Sequence, residues 1–461
     1  MNASAQAPPS GAPLPAYTRR LIGFQVLNAV NFTIALGSPM VLAAKLLGAG
    51  ETTIGLLLAL TPLFVFLQIP SARLAEAWGY RRLMMAGWRT RSYMMLGMAP
   101  LPLLVGRVPS GWLLAAMVAL LLGFNVIRGF ASGAWYPWLA HIVPESQRGR
   151  YLGRENFAVN SGTLVAQLVC GWFLGHDPPA WHYTVLFVVS FAAGWCSVWF
   201  FERVPCPAPR PGAGTAGGGA ALMFRRAWRD APFRRVTRYT MLQGLAMSGV
   251  AGFLIVFLRD LARMGAGPVV YVMSAATLGS LVTAALIGRG LDHFGSRPVL
   301  RLAGLGQIAL LAFWSVAAAG PASVPFVVAA AAAFVMGVLG TAHGLAVTRL
   351  TLAFCPRDDL TRAMAVNQVL TCVTAGLGAV LWGAMIEWMR TLPALAGMPG
   401  VAFAAFFATG LVVMAASQNV LGGIHEPHSM PAGRLIVRVL WHWPLRVLGG
   451  LWLGEDRSAQ R

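Results

Sequence analysis

Arg128 stands inside a long apolar run, L-L-L-G-F-N-V-I-R-G-F-A-S-G, well ahead of Pro144. A guanidinium at bilayer depth costs at least about 2.5 kcal/mol unless a cavity, water or a carboxylate meets it. It is therefore expected to face an interior. There it would anchor an anionic group of a substrate, tune a proton-coupled step, or form a structural ion pair between helices. Asn125 lies on the same run. Other apolar runs carry amides at helical spacing: Gln25, Asn28 and Asn31 three apart, then Asn156, Asn160, Thr163 and Gln167, and later Asn367, Thr371 and Thr374. Such spacing keeps polar groups along one side of a helix. An amide in hydrocarbon must find a partner or a water, so these stripes are expected to line a bundle interior. Gln243 is placed in its run as Gln25 is in the first, and His343 lies mid-run, able to titrate near neutral pH. Deep carboxylates are few: Glu155 lies near one end of its run and Glu387 near the end of another.

The elements that must hold these groups are membrane helices. The 461 residues are 57% hydrophobic and only 11% charged, with a mean hydropathy of +0.65. A soluble fold has no place for that much apolar surface. Twelve windows of spanning length begin near Leu21, Thr52, Leu83, Trp112, Asn156, Trp181, Val236, Pro268, Val299, Val324, Met364 and Val401, six on each side of the glycine-rich stretch Gly212 to Gly219. The net charge of +20 would suggest nucleic acid in a soluble chain. Here the cations sort by loop. With the N-terminus cytoplasmic, the outer loops hold only Lys45, Arg107, Arg259, Arg263 and Arg390. That is the positive-inside bias, and it removes the nucleic-acid reading.

The stretch A-R-L-A-E-A-W-G-Y-R-R, Ala72 to Arg82, returns after a second apolar run as G-R-G-L-D-H-F-G-S-R, Gly288 to Arg297. Ala72 meets Gly288, Glu76 meets Asp292, Gly79 meets Gly295 and Arg81 meets Arg297, with Arg82 following in the first copy. A weaker pair of markers is P-E-S-Q-R-G-R from Pro144 and P-R-D-D-L-T-R from Pro356. The chain is thus a duplication. The pattern G-x-x-x-D-x-x-G-x-R between the second and third helix of each half resembles the signature loop of the major facilitator superfamily of transporters. The first copy departs from it with Ala72 for glycine, Glu76 for aspartate and Ala77 for a cation; the second has His293 at the cation position and Pro298 where a second arginine would stand. Physically, the glycine allows a tight turn, and a carboxylate among arginines can hold helix ends together, which describes a cytoplasmic latch. The position of Arg128 is similar to the fourth-helix arginine of the superfamily's antiporters, although Ser132 and Gly133 match the following pattern loosely.

The resemblance implies an all-α integral membrane protein with twelve transmembrane helices in two pseudo-symmetric six-helix halves. The expected divisions are a disordered N-terminus over 1–20, a first half over 21–201, a cytoplasmic linker over 202–235, a second half over 236–424 and a tail over 425–461. In the tail, Arg434, Arg438, His442 and Arg446 recur among apolar residues, a pattern for a helix lying flat in the interface. Arg89 and Arg91 are read as interfacial, snorkelling from the start of span three. Trp135, Tyr136 and Trp138 are read as an interfacial belt. Five scattered cysteines show no metal-like spacing and read as core residues. Neither a His/Cys cluster nor a phosphate-cradling loop supports catalysis, so no enzyme activity, cofactor or metal is expected. The expected function is a monomeric carrier of a small polar or anionic organic solute in a bacterial inner membrane, both termini cytoplasmic, with solute and membrane lipids as its partners. Two alternatives are a lipid- or pigment-handling protein and a non-transporting sensor or assembly protein on the same scaffold.

Overall fold

The computed structural model describes residues 14–204, 228–287, 295–320, 323–355, 360–395 and 398–424. The described residues fold into helices that make twelve passes. In the first half these are α1 (Tyr17–Leu36) with α2 (Ser38–Leu46), α3 (Glu51–Leu63) with α4 (Gln68–Trp78), α5 (Tyr80–Met98), α6 (Ser110–Ser132) with α7 (Trp135–Ile142), α8 (Glu145–Leu174) and α9 (Ala180–Glu202). The second half repeats the plan with α10 (Ala231–Met247) and α11 (Val250–Asp260), then α12 (Ala266–Ile287), α13 (Ser296–Ala319), α14 (Phe326–Phe354), α15 (Leu360–Thr391) and α16 (Pro399–Gly422). Eleven passes are long and apolar enough to cross a membrane. The remaining one, α5, carries Arg81, Arg82, Arg89 and Arg91, which lower its hydropathy. The face that carries Val204, Trp228 and Ile424 is termed proximal, and the opposite face distal.

Several passes are broken by local chemistry. The first pass breaks at Gly37, which is extended ahead of Ser38 and Pro39; the seventh breaks at Ser248 and at Gly249, whose φ is 72°. Pro62 lies at the end of α3, where the ladder tightens into a 3-10 turn over Phe64–Leu67. Proline removes a donor and crowds the preceding turn, so pass two cannot run straight.

Among the described residues the two halves share a core at one end only. A single apolar cluster joins residues of both halves toward the distal face, among them Ile54, Leu57, Phe253, Val256, Trp382 and Ile386. Toward the proximal face the core divides. One cluster around Phe24, Trp88, Trp138 and Phe201 belongs to the first half, and a separate one around Val236, Tyr239 and Leu350 to the second. The distal interface is close because it is made of small residues, the usual route to tight packing of membrane helices. A Cβ on Gly55 would strike the Ala379 carbonyl, and one on Gly383 the Glu51 carbonyl. At the other seam Gly267 N–H donates to the Gly175 carbonyl at 2.5 Å and Ala266 N–H to the His176 carbonyl at 2.9 Å.

Charges close the same end. Lys45 Nζ lies 2.6 Å from Asp260, Arg390 donates to Glu51, and Glu387 accepts the Thr52 N–H at 2.8 Å. Arg259 reaches Asp177 at 3.0 Å; the Asp177 carboxyl is held below its ordinary range by hydrogen bonds from His176 and then Arg259. Deeper in the membrane, Thr277 donates to Gln167 at 2.7 Å across the halves.

At the proximal face the two signature loops turn alike. Gly79 has φ 83° and Gly295 φ 82°, a region that glycine enters without the Cβ penalty. Two residues on, Arg81 donates to the Glu202 carbonyl at the end of α9, and Arg297 donates to the Gly422 carbonyl at the end of α16 at 2.8 Å. Each arginine thus satisfies a terminal carbonyl and meets the negative end of a helix dipole. Gly288 and Asp292, the side chain of Glu76, most of the linker, the loop after Pro356 and the tail lie outside the described residues. The aromatic expectation is corrected: Trp135 and Trp138 are buried, not interfacial. Phe24, Trp88 and Phe201, contributed by three other helices, stack around them.

Candidate functional site between the halves

Because the halves separate below the distal seam, the polar stripes come to line opposed walls. The second-half wall holds a cavity of about 370 Å³ lined by Thr240, Gln243, Gln307, His343, Asn367 and Thr371. Its polar groups are tied to one another. Gln243 donates to Gln307 at 2.7 Å, Thr371 to Thr240 at 2.9 Å, and Thr240 Oγ1 lies 3.0 Å from Asn367 Oδ1. His343 Nε2 is 3.0 Å from the Tyr239 hydroxyl. Hydroxyls and amides with one pairing made and others spare can meet a polar solute through several hydrogen bonds.

The first-half wall is charged. Arg128, largely buried on α6, donates through Nη2 to the Thr61 carbonyl at 2.7 Å and through Nε to Asn125 Oδ1 at 3.3 Å. Thr61 is placed where α3 gives way to the 3-10 turn, so its carbonyl belongs to a helix end and accepts readily. Asn125 is itself fixed by Leu121 and Thr61. Across the gap, Arg128 lies within electrostatic reach of Cys372 on α15. Among the described residues no carboxylate lies within ion-pair distance of Arg128. Its charge is dispersed over neutral acceptors.

A second cation was not expected here. Arg91, read from sequence as interfacial, is 1% exposed, which corrects that reading. It donates to Asn28 Oδ1 and lies over two rings, 4.7 Å from the centroid of Phe32 and 5.6 Å from that of Phe124. Cation–π contact and an amide acceptor substitute for the lost water. Arg91 also lies within electrostatic reach of Arg128, so this half concentrates positive charge. The first-half carboxylate is Glu155, buried on α8 and accepting from Gln25.

With Gly79 aligned to Gly295 the sequence sets Arg91 beside Gln307, and matching the hydrogen-bonded pairs of the two halves from there shows how the walls differ. The Asn28–Arg91 pair corresponds to Gln243–Gln307, Gln25–Glu155 corresponds to Thr240–Asn367, and Arg128 corresponds to His343. The sequence match of Gln243 with Gln25 is therefore one turn out of register, because shared partners, not residue type, identify equivalent positions. Three places that are charged in the first half carry neutral amides or histidine in the second.

The other expected residues fall to the side. Asn31 is buried against α9, donating to the Ser190 carbonyl and hydroxyl at 2.8 and 3.0 Å, so it joins helices and does not reach the gap. Asn160 donates to Asn156 at 2.5 Å, and both stay accessible on α8. Gln307, Tyr239, Thr240 and Thr61 were missed. An isolated amide or hydroxyl in an apolar run is a weak signal, and what ties these four to the site is their hydrogen bonds to Gln243, His343, Asn367 and Arg128.

The Major Facilitator Superfamily model matches residues 21–379. Solved structures with the same fold include a mutant form of the nucleoside transporter NupG, with a TM-score of 0.70, 14% identity and coverage of 89% of this chain and 100% of that one. The inward-open xylose transporter XylE from E. coli matches with a TM-score of 0.66, 13% identity and coverage of 91% and 99%. A bacterial homolog of the human lysosomal transporter Spinster, inward-facing and unoccupied, matches at 0.59, with 16% identity and coverage of 89% and 96%. No curated protein sequence matches the chain. The duplicated halves, the paired signature turns and the family match over most of the sequence together place this chain in the major facilitator superfamily as a multi-pass membrane transporter.

Proposed function

We propose that this transporter carries a small organic solute that is polar or anionic, by alternating access at the site between Arg128 and the polar wall of the second half. The observation that carries the reading is an arginine inside the bundle without a carboxylate partner among the described residues, within electrostatic reach of Cys372, whose neighbour Thr371 lines a cavity of hydroxyls and amides. Burying a lone charge is costly, and an anionic solute group arriving there offsets that cost with charge-assisted hydrogen bonds. Among the described residues the halves join at the distal seam and keep separate proximal cores, which supports a site open to the proximal side in this state. The distribution of arginines supports a cytoplasmic proximal face with both termini, and we read the membrane as a bacterial inner one. Alternating access then consists of opening the distal glycine and ion-pair seam while the proximal ends close around the same site. The 370 Å³ cavity favours this over a sealed sensor or assembly protein on the same scaffold.

The test is efflux from proteoliposomes loaded with a mixture of organic acids, sugars and amines, read by mass spectrometry. Faster loss of one class through wild type than through Arg128→Gln supports the reading. Loss equal to that from protein-free liposomes for every class overturns it.

A further inference from the structure

A groove of about 480 Å³ lies away from the central site, at the proximal end of α9. It is lined by Arg89 of α5 and by Trp195, Cys196, Trp199, Phe200 and Glu202 of α9. This side of α9 is exposed along its length, with Val188, Val189, Trp195 and Trp199 all open. In a membrane such a face meets hydrocarbon, so what fills the groove is lipid.

The end of α9 beside the groove is rich in arginine. Four arginines converge on the last turn of α9. Arg20 donates to the Arg203 carbonyl at 2.8 Å, Arg81 to the Glu202 carbonyl, and Arg89 to the Glu202 carboxylate. The Arg203 guanidinium lies 3.3 Å from the centroid of the Trp199 ring. The carboxylate of that turn, Glu202, pairs with Arg89, while Arg20 and Arg81 meet backbone carbonyls and Arg203 a ring. Trp199 lies in the last turn of α9 and Trp195 one turn before it, toward the end of a span where amphipathic rings are enriched, and Arg89 lies 5.8 Å from the Trp195 ring. The second half shows that the fold does not require this arrangement. There Arg297 and Arg235 meet the carbonyls of Gly422 and Gly423, but the equivalent turn reads Asn419, Val420, Leu421, Gly422, Gly423, with neither ring nor charge.

We propose that this groove is a binding site for an anionic phospholipid, whose phosphate sits against Arg203 and Arg89 while an acyl chain lies along Trp195, Cys196 and Phe200. Arginine suits a phosphate because its planar donors match two oxygens at once. Trp199 keeps the Arg203 guanidinium pre-oriented, and the excess of arginines over carboxylates selects a net negative headgroup over a zwitterionic one. The lipid would bind and leave without opening either gate, since the groove lies on the outer surface of the first half.

The experiment is native mass spectrometry of the full-length protein released from micelles containing phosphatidylglycerol or phosphatidylcholine. Wild type is expected to keep one phosphatidylglycerol at an activation energy that strips phosphatidylcholine. Arg203→Gln should lose that preference severalfold, Arg203→Lys should keep part of it, and Trp199→Ala should weaken it in a protein whose glycine and ion-pair seams are intact. Equal retention of the two lipids, or an undiminished preference in Arg203→Gln, overturns the proposal. Inorganic phosphate is the control: it should leave the lipid adduct in place, and its displacement of the lipid would assign the site to a soluble anion instead.

Discussion

Replacing Glu51 by glutamine removes the most buried of the carboxylates that tie the two halves at the distal face. Glu51 is 5% exposed, accepts from Arg390 and lies 4.0 Å from Lys45, whose side chains are 37% and 20% exposed. A fully buried pair loses about 3–5 kcal/mol when one partner goes, and an exposed pair about 0.2–1 kcal/mol. Partners that are part-exposed on one side place Glu51→Gln near 1.5 kcal/mol, or about tenfold in the ratio of distally closed to distally open protein. Cys372 reports that ratio, since it is half-buried on α15 opposite Arg128. In sealed vesicles of known orientation, an impermeant maleimide applied at the distal face should label Cys372 about tenfold faster in Glu51→Gln, read from the Cys372 peptide by mass spectrometry. Labelling from the proximal face should fall or stay level. An unchanged distal rate would refute the seam as the gate.

Gly55→Val, aimed at the Ala379 carbonyl, should cost about 1–3 kcal/mol of the closed state and also raise distal labelling of Cys372; a lower unfolding midpoint with unchanged labelling would show that only packing was lost. Gly79→Ala forces a Cβ into φ 83° and should destabilise the protein by about 1–2 kcal/mol; equal midpoints for Gly79→Ala and wild type would contradict the turn assignment. Glu155→Gln preserves a hydrogen-bonding partner for Gln25, so folded yield should hold while the pH dependence of solute efflux flattens; an unaltered pH profile would remove Glu155 from any coupling role. The Asp177 carboxyl is depressed by His176 and Arg259, so its contribution is present above the unfolded value of about 3.9 and is lost as pH falls through the lower folded value. Asp177→Asn should therefore narrow the stability difference between neutral and strongly acidic pH, and a parallel acid profile in the two proteins would contradict that.

The repeat and the charge anomalies were legible in the sequence. Gly79 and Gly295 could be aligned from spacing alone, and both turn at nearly the same positive φ. Arg128 announced itself as a cation in an apolar run, and the structure keeps it inside the bundle. Depth along one helix was less informative for Arg91. Its place near the start of pass three allowed snorkelling, and only the meeting of Asn28, Phe32 and Phe124 from other helices makes a buried site for it. The tryptophans of α7 failed for the same reason: a belt and a core look alike until the rings of Phe24, Trp88 and Phe201 arrive. Gln25 and Gln243 share a type but not a partner, so a match by residue identity slipped by a turn. Periodicity reports which side of a helix is polar, and long-range packing decides what that side faces.

The central claim is that Arg128 meets the solute. Thermal unfolding of purified wild type and Arg128→Gln, each with a panel of organic anions, neutral polar solutes and cations, tests it most directly, because a ligand that binds the folded state raises its midpoint by mass action. The account predicts that one class of organic anion stabilises wild type and leaves Arg128→Gln unmoved, with both proteins unfolding alike in the absence of solute. Equal stabilisation of both proteins by the same solutes would contradict it and make Arg128 a structural tie between α6 and α3.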